Sequence, residues 1–373
     1  MSVVPLSVLD LAPVRAGGNA RLALNETLDL ARQAERLGYH RYWLAEHHLS
    51  GGLASSATPV VIGQVAAVTE RIRVGSGATL LGYHTPLSVV ESFGTLEALY
   101  PGRIDLGLGR GLAARERAHA FLAQAVEQAG PRIVRGVKVP APPPMTPQRS
   151  LARDRLLQHP GAQPLSLAAA VETIFQLING DYLFEDGSPA QAMPGVGADL
   201  DVWVLGSSAG ESARVAAERG LPLAVNYHVS PATVFDAIEA YRSAFRPSPR
   251  LSRPYLMVSA DVLVAENLAQ ARYLARPYAA WVHGIRSGQG AQPYPAPDTV
   301  DLSGIDPELV RDRLETQFLG DARGVAESLR VLQRATEADE LLVTTNAYRH
   351  QDRLASFALL AGAWFAQGRH KDA

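Results

Sequence analysis

The stretch Trp43–Gly52, WLAEHHLSGG, carries an apolar run straight into Glu46, His47 and His48. A carboxylate beside two imidazoles suits proton transfer, metal ligation or the tying of a loop. Spacing disfavours the metal. If the strand continues through the pair, adjacent side chains point to opposite faces, so His47 and His48 cannot share an ion. The chain has no cysteine and no H-x-H or H-x-x-x-H spacing. The expectation is that no metal is held and that one imidazole faces the chemistry while the other packs outward.

Three more segments offer chemistry. In GLGRGLAAR, Gly107, Gly109 and Gly111 permit close backbone approach and hold Arg110 between two of them. The spacing is neither a Walker loop nor a dinucleotide fingerprint. A guanidinium so placed can grip a phosphate in a bidentate way or pair with a neighbouring helix carboxylate. In LGSSAGES a strand runs into a helix that begins near Gly210. Helix starts carry free N–H groups and attract phosphate, and Ser208 and Ser212 add hydroxyls. Simple capping by Ser207 or Ser208 would need no ligand. Arg110 and this helix start together suggest a monophosphate site; neither does so alone. In VGSGATLLGYHTP, Gly75 and Gly77 weaken a core strand. Either a flat ring lies on the strand, or a tight interior admits no side chain there.

These segments need elements to hold them. Short apolar runs alternate with amphipathic ones. Strands are expected at 3–11, 39–48, 71–86, 103–111, 201–208, 221–228, 254–265 and 340–346. Helices are expected between them, the first over NETLDLARQAERL, capped by Asn25 or a neighbour and ended by Gly38. Continuous apolar strands each followed by a helix imply a parallel sheet, and eight such units close into an α/β, single-domain TIM barrel over residues 1–373. An open doubly wound sheet is the alternative. The repeat breaks after the fourth strand. Residues 112–164 hold a charged helical piece and the proline-rich VRGVKVPAPPPMTPQ, expected to be a lid or a partly disordered insertion. A second irregular stretch spans 287–307. Asp10, Tyr227 and His228 fall at expected strand ends and are candidates for a substrate pocket, whereas Trp203 is expected to pack inside the barrel.

Bulk composition narrows the class. Lys plus Arg is 35 against 37 for Asp plus Glu, a net charge of −2 that favours neither nucleic acid nor an anionic membrane. The absence of cysteine removes disulfides, thiolate nucleophiles and iron–sulfur ligation. No signal peptide or membrane span is apparent, so a cytoplasmic protein is expected.

With Glu46-His47-His48, GSGATLL…HTP, GRIDLGLGRG and the GSS-to-helix segment in view, the sequence resembles the bacterial luciferase-like flavin monooxygenases over nearly its whole length outside the insertion. It looks most like the branch of polyketide-tailoring oxygenases of the mensacarcin epoxidase type. The resemblance implies diffusible reduced FMN supplied by an NAD(P)H-dependent flavin reductase. It further implies O2 adding to give a peroxyflavin, and epoxidation or hydroxylation of a small organic substrate, a class that includes aromatic polyketides. It places a catalytic imidazole at His47, which leaves His48 as the imidazole expected to be structural. It places a non-proline cis peptide at Gly77–Ala78 beside Thr79, and phosphate contacts at Arg110 and at Ser207, Ser208, Ala209 and Ser212. A homodimer is implied, with apolar helix faces near 59–67 and 87–99 available for it. Luciferase has a cysteine where this chain has Gly109, which argues against long-chain aldehyde or light-emitting specificity. Two alternatives remain within the resemblance: an F420-dependent oxidoreductase, and a non-catalytic flavin-binding partner subunit.

Overall fold

A computed structural model describes residues 3–111, 130–144 and 156–366. Its strands are β1 (Leu6–Asp10), β2 (Arg41–Leu44), β3 (Arg73–Ser76), β4 (Thr79–Leu80), β5 (Ile104–Gly109), β6 (Arg132–Val134), β7 (Val137–Val139), β8 (Asp201–Gly206), β9 (Leu223–Val225), β10 (Leu256–Val264), β11 (Phe318–Gly320) and β12 (Glu340–Thr344). Parallel pairings run β1–β2–β3–β5–β8–β9–β10–β12 and return to β1. The sheet is therefore a closed eight-stranded barrel, which excludes the open doubly wound alternative. β4 resumes pairing with β5 after a bulge, and β11 lengthens the edge of β10.

Alternation along the strands sorts two cores. Leu9, Trp43, Trp203, Met257 and Leu342 fill the barrel. Leu6, Val8, Tyr42, Leu44, Val258 and Val343 face the helices. Trp203 packs edge-on to Trp43 at 5.2 Å, as expected of a barrel filler. Gly75 and Gly107 are demanded by this closeness. A Cβ on Gly107 would stand 2.0 Å from the Ser76 carbonyl oxygen, and one on Gly75 would stand 2.4 Å from that of Asp105. The tight-interior explanation therefore accounts for Gly75.

The floor of the barrel is ionic. Arg41 binds Asp105 and Asp201 at 2.8 Å and Glu340 at 3.2 Å. Arg41, Asp201 and Glu340 each begin their strands, so the network closes the N-terminal end, which in such barrels serves stability rather than chemistry.

Several boundaries differ from the sequence expectation. The first helix is Ala20–Leu37, and its cap is Asn19, whose side chain accepts from the Leu22 N–H at 3.0 Å. Asn25 lies inside the helix instead. β2 stops at Leu44, so Glu46, His47 and His48 sit in the irregular segment that leads into the turn at Gly51–Gly52 rather than in a strand. The opposite-face argument against a shared ion therefore does not apply to them. Within 112–164, β6 and β7 form an antiparallel hairpin, so part of that stretch is regular. Its turn is Arg135–Gly136, both at positive φ (48° and 86°), the conformation of a primed hairpin turn. The charged helical piece and the end of the proline cluster lie outside the described residues. The 287–307 stretch is an ordered strap. Gly52 and Tyr294 hydrogen-bond across it, Gly52 N–H to Ala291 O and Tyr294 N–H to Val14 O, both at 2.8 Å. Helix Leu268–Arg286 precedes it, and helix Pro307–Thr316 follows.

Candidate active site

The C-terminal ends of the strands open into a cavity of about 370 Å³. One wall is the turn that bears Glu46, His47 and His48. Another is Gly77–Ala78, whose peptide is cis. Beyond it, Gly109, Arg110 and Gly111 continue from β5. Opposite stand Ser207 and Ser212, before and inside helix Glu211–Glu218. Trp281, Arg286 and Ala291 close the side formed by the preceding long helix and the strap.

The turn is braced from several directions. The His47 N–H donates to the Ser55 carbonyl at 3.0 Å, and the Ser55 hydroxyl donates to the Ala45 carbonyl at 2.5 Å. Gly52 is pressed against the strap. A Cβ there would lie 2.1 Å from the Gln292 carbonyl oxygen, so only glycine fits. Glu46 hydrogen-bonds His48 Nε2 at 2.7 Å and His84 Nε2 at 2.9 Å, and it accepts the Leu80 N–H at 3.1 Å. Burial pushes the Glu46 carboxyl up, but these hydrogen bonds outweigh it and hold the group below the usual carboxylate range. The bond to Glu46 in turn raises His84 above the ordinary imidazole range, against the opposing effect of burial. Glu46, His48 and His84 also lie close enough to ligate one ion, their donor atoms being within 4.8 Å of one another. The sequence reading did not pair His84 with the motif. Only the fold brings the two loops together.

Across the cavity, Arg110 is half-buried. Burial pushes its guanidinium pKa down, and the charge of Glu211 partly restores it. Among the described residues no carboxylate lies within ion-pair distance of Arg110. Arg286, by contrast, is committed to Asp312, with its Nη2 at 2.8 Å from the carboxylate. Helix Glu211–Glu218 starts at Gly210 with no side-chain cap. The ligand-free capping by Ser207 or Ser208 is therefore not formed, and the first N–H groups of the helix have no side-chain partner at that end.

The structure brings His47, Gly77, Ala78, Arg110, Ser207 and Ser212 to one cavity. Thr79, Ser208 and Ala209 fall outside its lining. Thr79 is buried with its hydroxyl on Ser76 Oγ at 3.0 Å, Ser208 is buried, and Ala209 faces solvent. The three residues assigned to a substrate pocket are also placed elsewhere. Asp10 points between barrel and helices, opposite in parity to the inward Leu9, and binds Arg353 at 2.8 Å and Thr27 at 2.7 Å. The Tyr227 hydroxyl donates to the Lys138 carbonyl of the hairpin at 2.8 Å. His228 Nδ1 lies 2.5 Å from Ser259 Oγ on β10. His48 was expected to pack outward, yet it lines the cavity. Trp281 and the strap residues were missed because nothing local marks a helix end that reaches over a barrel mouth. Among the described residues no helix is long and apolar enough to cross a membrane.

A closed parallel barrel with its polar cavity at the strand C-termini is the architecture of a TIM-barrel enzyme. The sequence profile of the luciferase-like monooxygenase family matches residues 4–128 and 169–352. A protein called luciferase-like monooxygenase from Escherichia coli strain K12 is 36% identical over 358 residues, covering 95% of this chain and 96% of its own. The protein YvbT of Bacillus subtilis strain 168 is 38% identical over 364 residues, covering 96% of each. The crystal structure of apo-MsnO8 shares the fold at a TM-score of 0.76 and 30% identity, covering 97% of this chain and 98% of the other. The chain belongs to the luciferase-like monooxygenase family of enzymes.

Proposed function

We propose that the chain is the oxygenase component of a two-component flavin system, fed with reduced FMN by a separate NAD(P)H-dependent reductase. One observation carries this reading. A half-buried Arg110, an uncapped helix start and the bulged Gly77–Ala78 wall surround a single cavity.

The donor set fits a flavin mononucleotide. Arg110 and the N–H groups that follow Gly210 would hold its phosphate, with the Ser212 hydroxyl as a further donor. Gly77, Gly109 and Gly111 line the adjoining wall, their absent side chains taken up by packing against Leu9, Ala78 and Gly82, and the ring would lie against their backbone. Bound reduced flavin supplies the two electrons that activate O2 for hydroxylation or epoxidation of a small organic substrate. The chain's own part is to bind, orient and exclude water. Trp281 and the 287–294 strap cover one side of the cavity. His47, held through its backbone to Ser55, is the group that moves a proton there. Val60, Leu87 and Leu99 on helices Thr58–Ala67 and Pro86–Leu99 are exposed, and a second copy docking on these helices would cover them.

The test is an anaerobic titration with FMN, reduced FMN and F420, followed by oxygen uptake with a flavin reductase and NADH. The reading expects FMN-type binding and oxygen uptake above the reductase background. Tight F420 binding with no response to either form of FMN would replace it with hydride-transfer chemistry. FMN binding without added oxygen uptake would leave a flavin-binding subunit.

A further inference from the structure

The flavin reading gives no task to the group formed by Glu46, His48 and His84. Glu46 is its hub. One oxygen meets both imidazoles, at 2.7 and 2.9 Å, and the other accepts the Leu80 N–H at 3.1 Å. The carboxylate side chain is only 1% exposed. A buried anion is costly unless hydrogen bonds satisfy it, and here three N–H donors do so.

The donors come from three separate places. His48 belongs to the turn after β2. Leu80 ends β4, just past the Gly77–Ala78 peptide. His84 lies in the loop that leads into helix Pro86–Leu99. Glu46 therefore ties the turn to the bulged wall, and His84 ties that junction to a helix. His47 sits between two members of the group in sequence, with its own N–H fixed on Ser55. Its backbone is therefore held between two bonded neighbours, Glu46 and His48. Tyr83, beside His84, meets the His48 ring edge-on at 5.8 Å and braces the same junction.

The contacts are hydrogen bonds in form. An ionised carboxylate only accepts, so the hydrogen-bonded arrangement puts a proton on each Nε2, whereas an ion at this place would need both lone pairs.

We propose that His84 is a positioning residue that acts through Glu46 to fix the His47 turn against the Gly77–Ala78 wall. Its consequence for catalysis rests on the flavin reading; its structural content does not. Removing the imidazole leaves the buried carboxylate one charge-assisted donor short, which loosens the turn and the wall together. A loss of this kind corresponds to about tenfold in FMN affinity.

The experiment compares His84→Ala, His84→Gln and Glu46→Gln with the wild-type chain. The apoprotein, labelled at histidine nitrogen and carbon, is followed by the ring resonances of His47, assigned by their loss in His47→Ala. FMN affinity is measured in parallel. In His84→Ala the His47 ring signals shift and FMN affinity falls about tenfold. In His84→Gln the amide N–H restores the bond, and both return to within about twofold of wild type. Glu46→Gln moves His47 and His84 together. If His84→Ala does not fold, the other two variants carry the comparison. Unchanged His47 signals in all three would overturn the proposal. So would zinc ions at micromolar concentration shifting the His48 and His84 signals of the wild type together, which would make the group a metal site. The His47 readout needs no flavin. A wild-type chain that ignores FMN while His84→Ala still shifts His47 would sink the flavin reading and keep the positioning role.

Discussion

Replacing Arg110 by alanine should separate FMN from riboflavin. The two ligands differ only in the phosphate that Arg110 is assigned to hold. The guanidinium is half-buried, which reduces screening, and among the described residues it has no ion-pair partner to fall back on. Hydrogen bonds to a charged group contribute about 1.5–3 kcal/mol, so a paired grip on phosphate at a partly open rim corresponds to roughly 2–3 kcal/mol, about 30- to 150-fold in Kd. Arg286 cannot take over, because Asp312 holds it at 2.8 Å. Arg110→Lys keeps the charge and loses the fork, so it should fall between, about tenfold weaker than wild type. Quenching of flavin fluorescence on titration reads all three Kd values for both ligands. The reasoning predicts a large loss for FMN and less than about twofold for riboflavin. Equal losses for the two flavins would mean that Arg110 shapes the ring site instead. No loss for FMN would mean that the phosphate lies elsewhere.

Three further outcomes follow from the packing and the ionisable groups. Gly107→Ala would bring a Cβ to 2.0 Å from Ser76 O and 2.9 Å from Leu205, and thermal unfolding should show a loss of at least about 3 kcal/mol. Asp10→Ala leaves Arg353 buried without its carboxylate; urea unfolding should show a loss of about 3–5 kcal/mol, with riboflavin affinity little changed in the folded fraction. The Glu46–His84 pair makes stability depend on pH from both sides. His84 is raised on folding, so its contribution is complete below the ordinary imidazole range and fades as pH climbs through its elevated folded value. Glu46 is lowered, so its contribution is complete above the ordinary carboxylate range and is lost as pH falls through its depressed folded value. Calorimetry across pH should therefore show both losses in the wild type, and both should flatten in Glu46→Gln.

The barrel was legible because buried parallel strands are continuous apolar runs, and each is followed by a helix with a clear stripe. Arg110, the helix start at Gly210 and the glycines around Ala78 were legible because backbone chemistry marks them locally. Side-chain direction was not. Asp10 lies at a strand end like a site residue, but its parity turns it toward Thr27 and Arg353. The Glu46-His47-His48 stretch was read as strand because its approach is apolar, yet pairing stops at Leu44 and frees the turn. His84 joins Glu46 from 38 positions away, and Trp281 reaches the cavity from a helix that continues to Arg286. Such meetings belong to the closed barrel and leave no periodic trace in the chain.

The central claim is that this cavity is a flavin mononucleotide site. The most direct measurement is a crystal structure of the protein soaked with FMN. The account predicts the phosphate between the Arg110 guanidinium and the helix start after Gly210, and the ring against Gly77–Ala78 with His47 beside it. A phosphate bound away from Arg110, or a ring outside the Gly77–Ala78 wall, would contradict it.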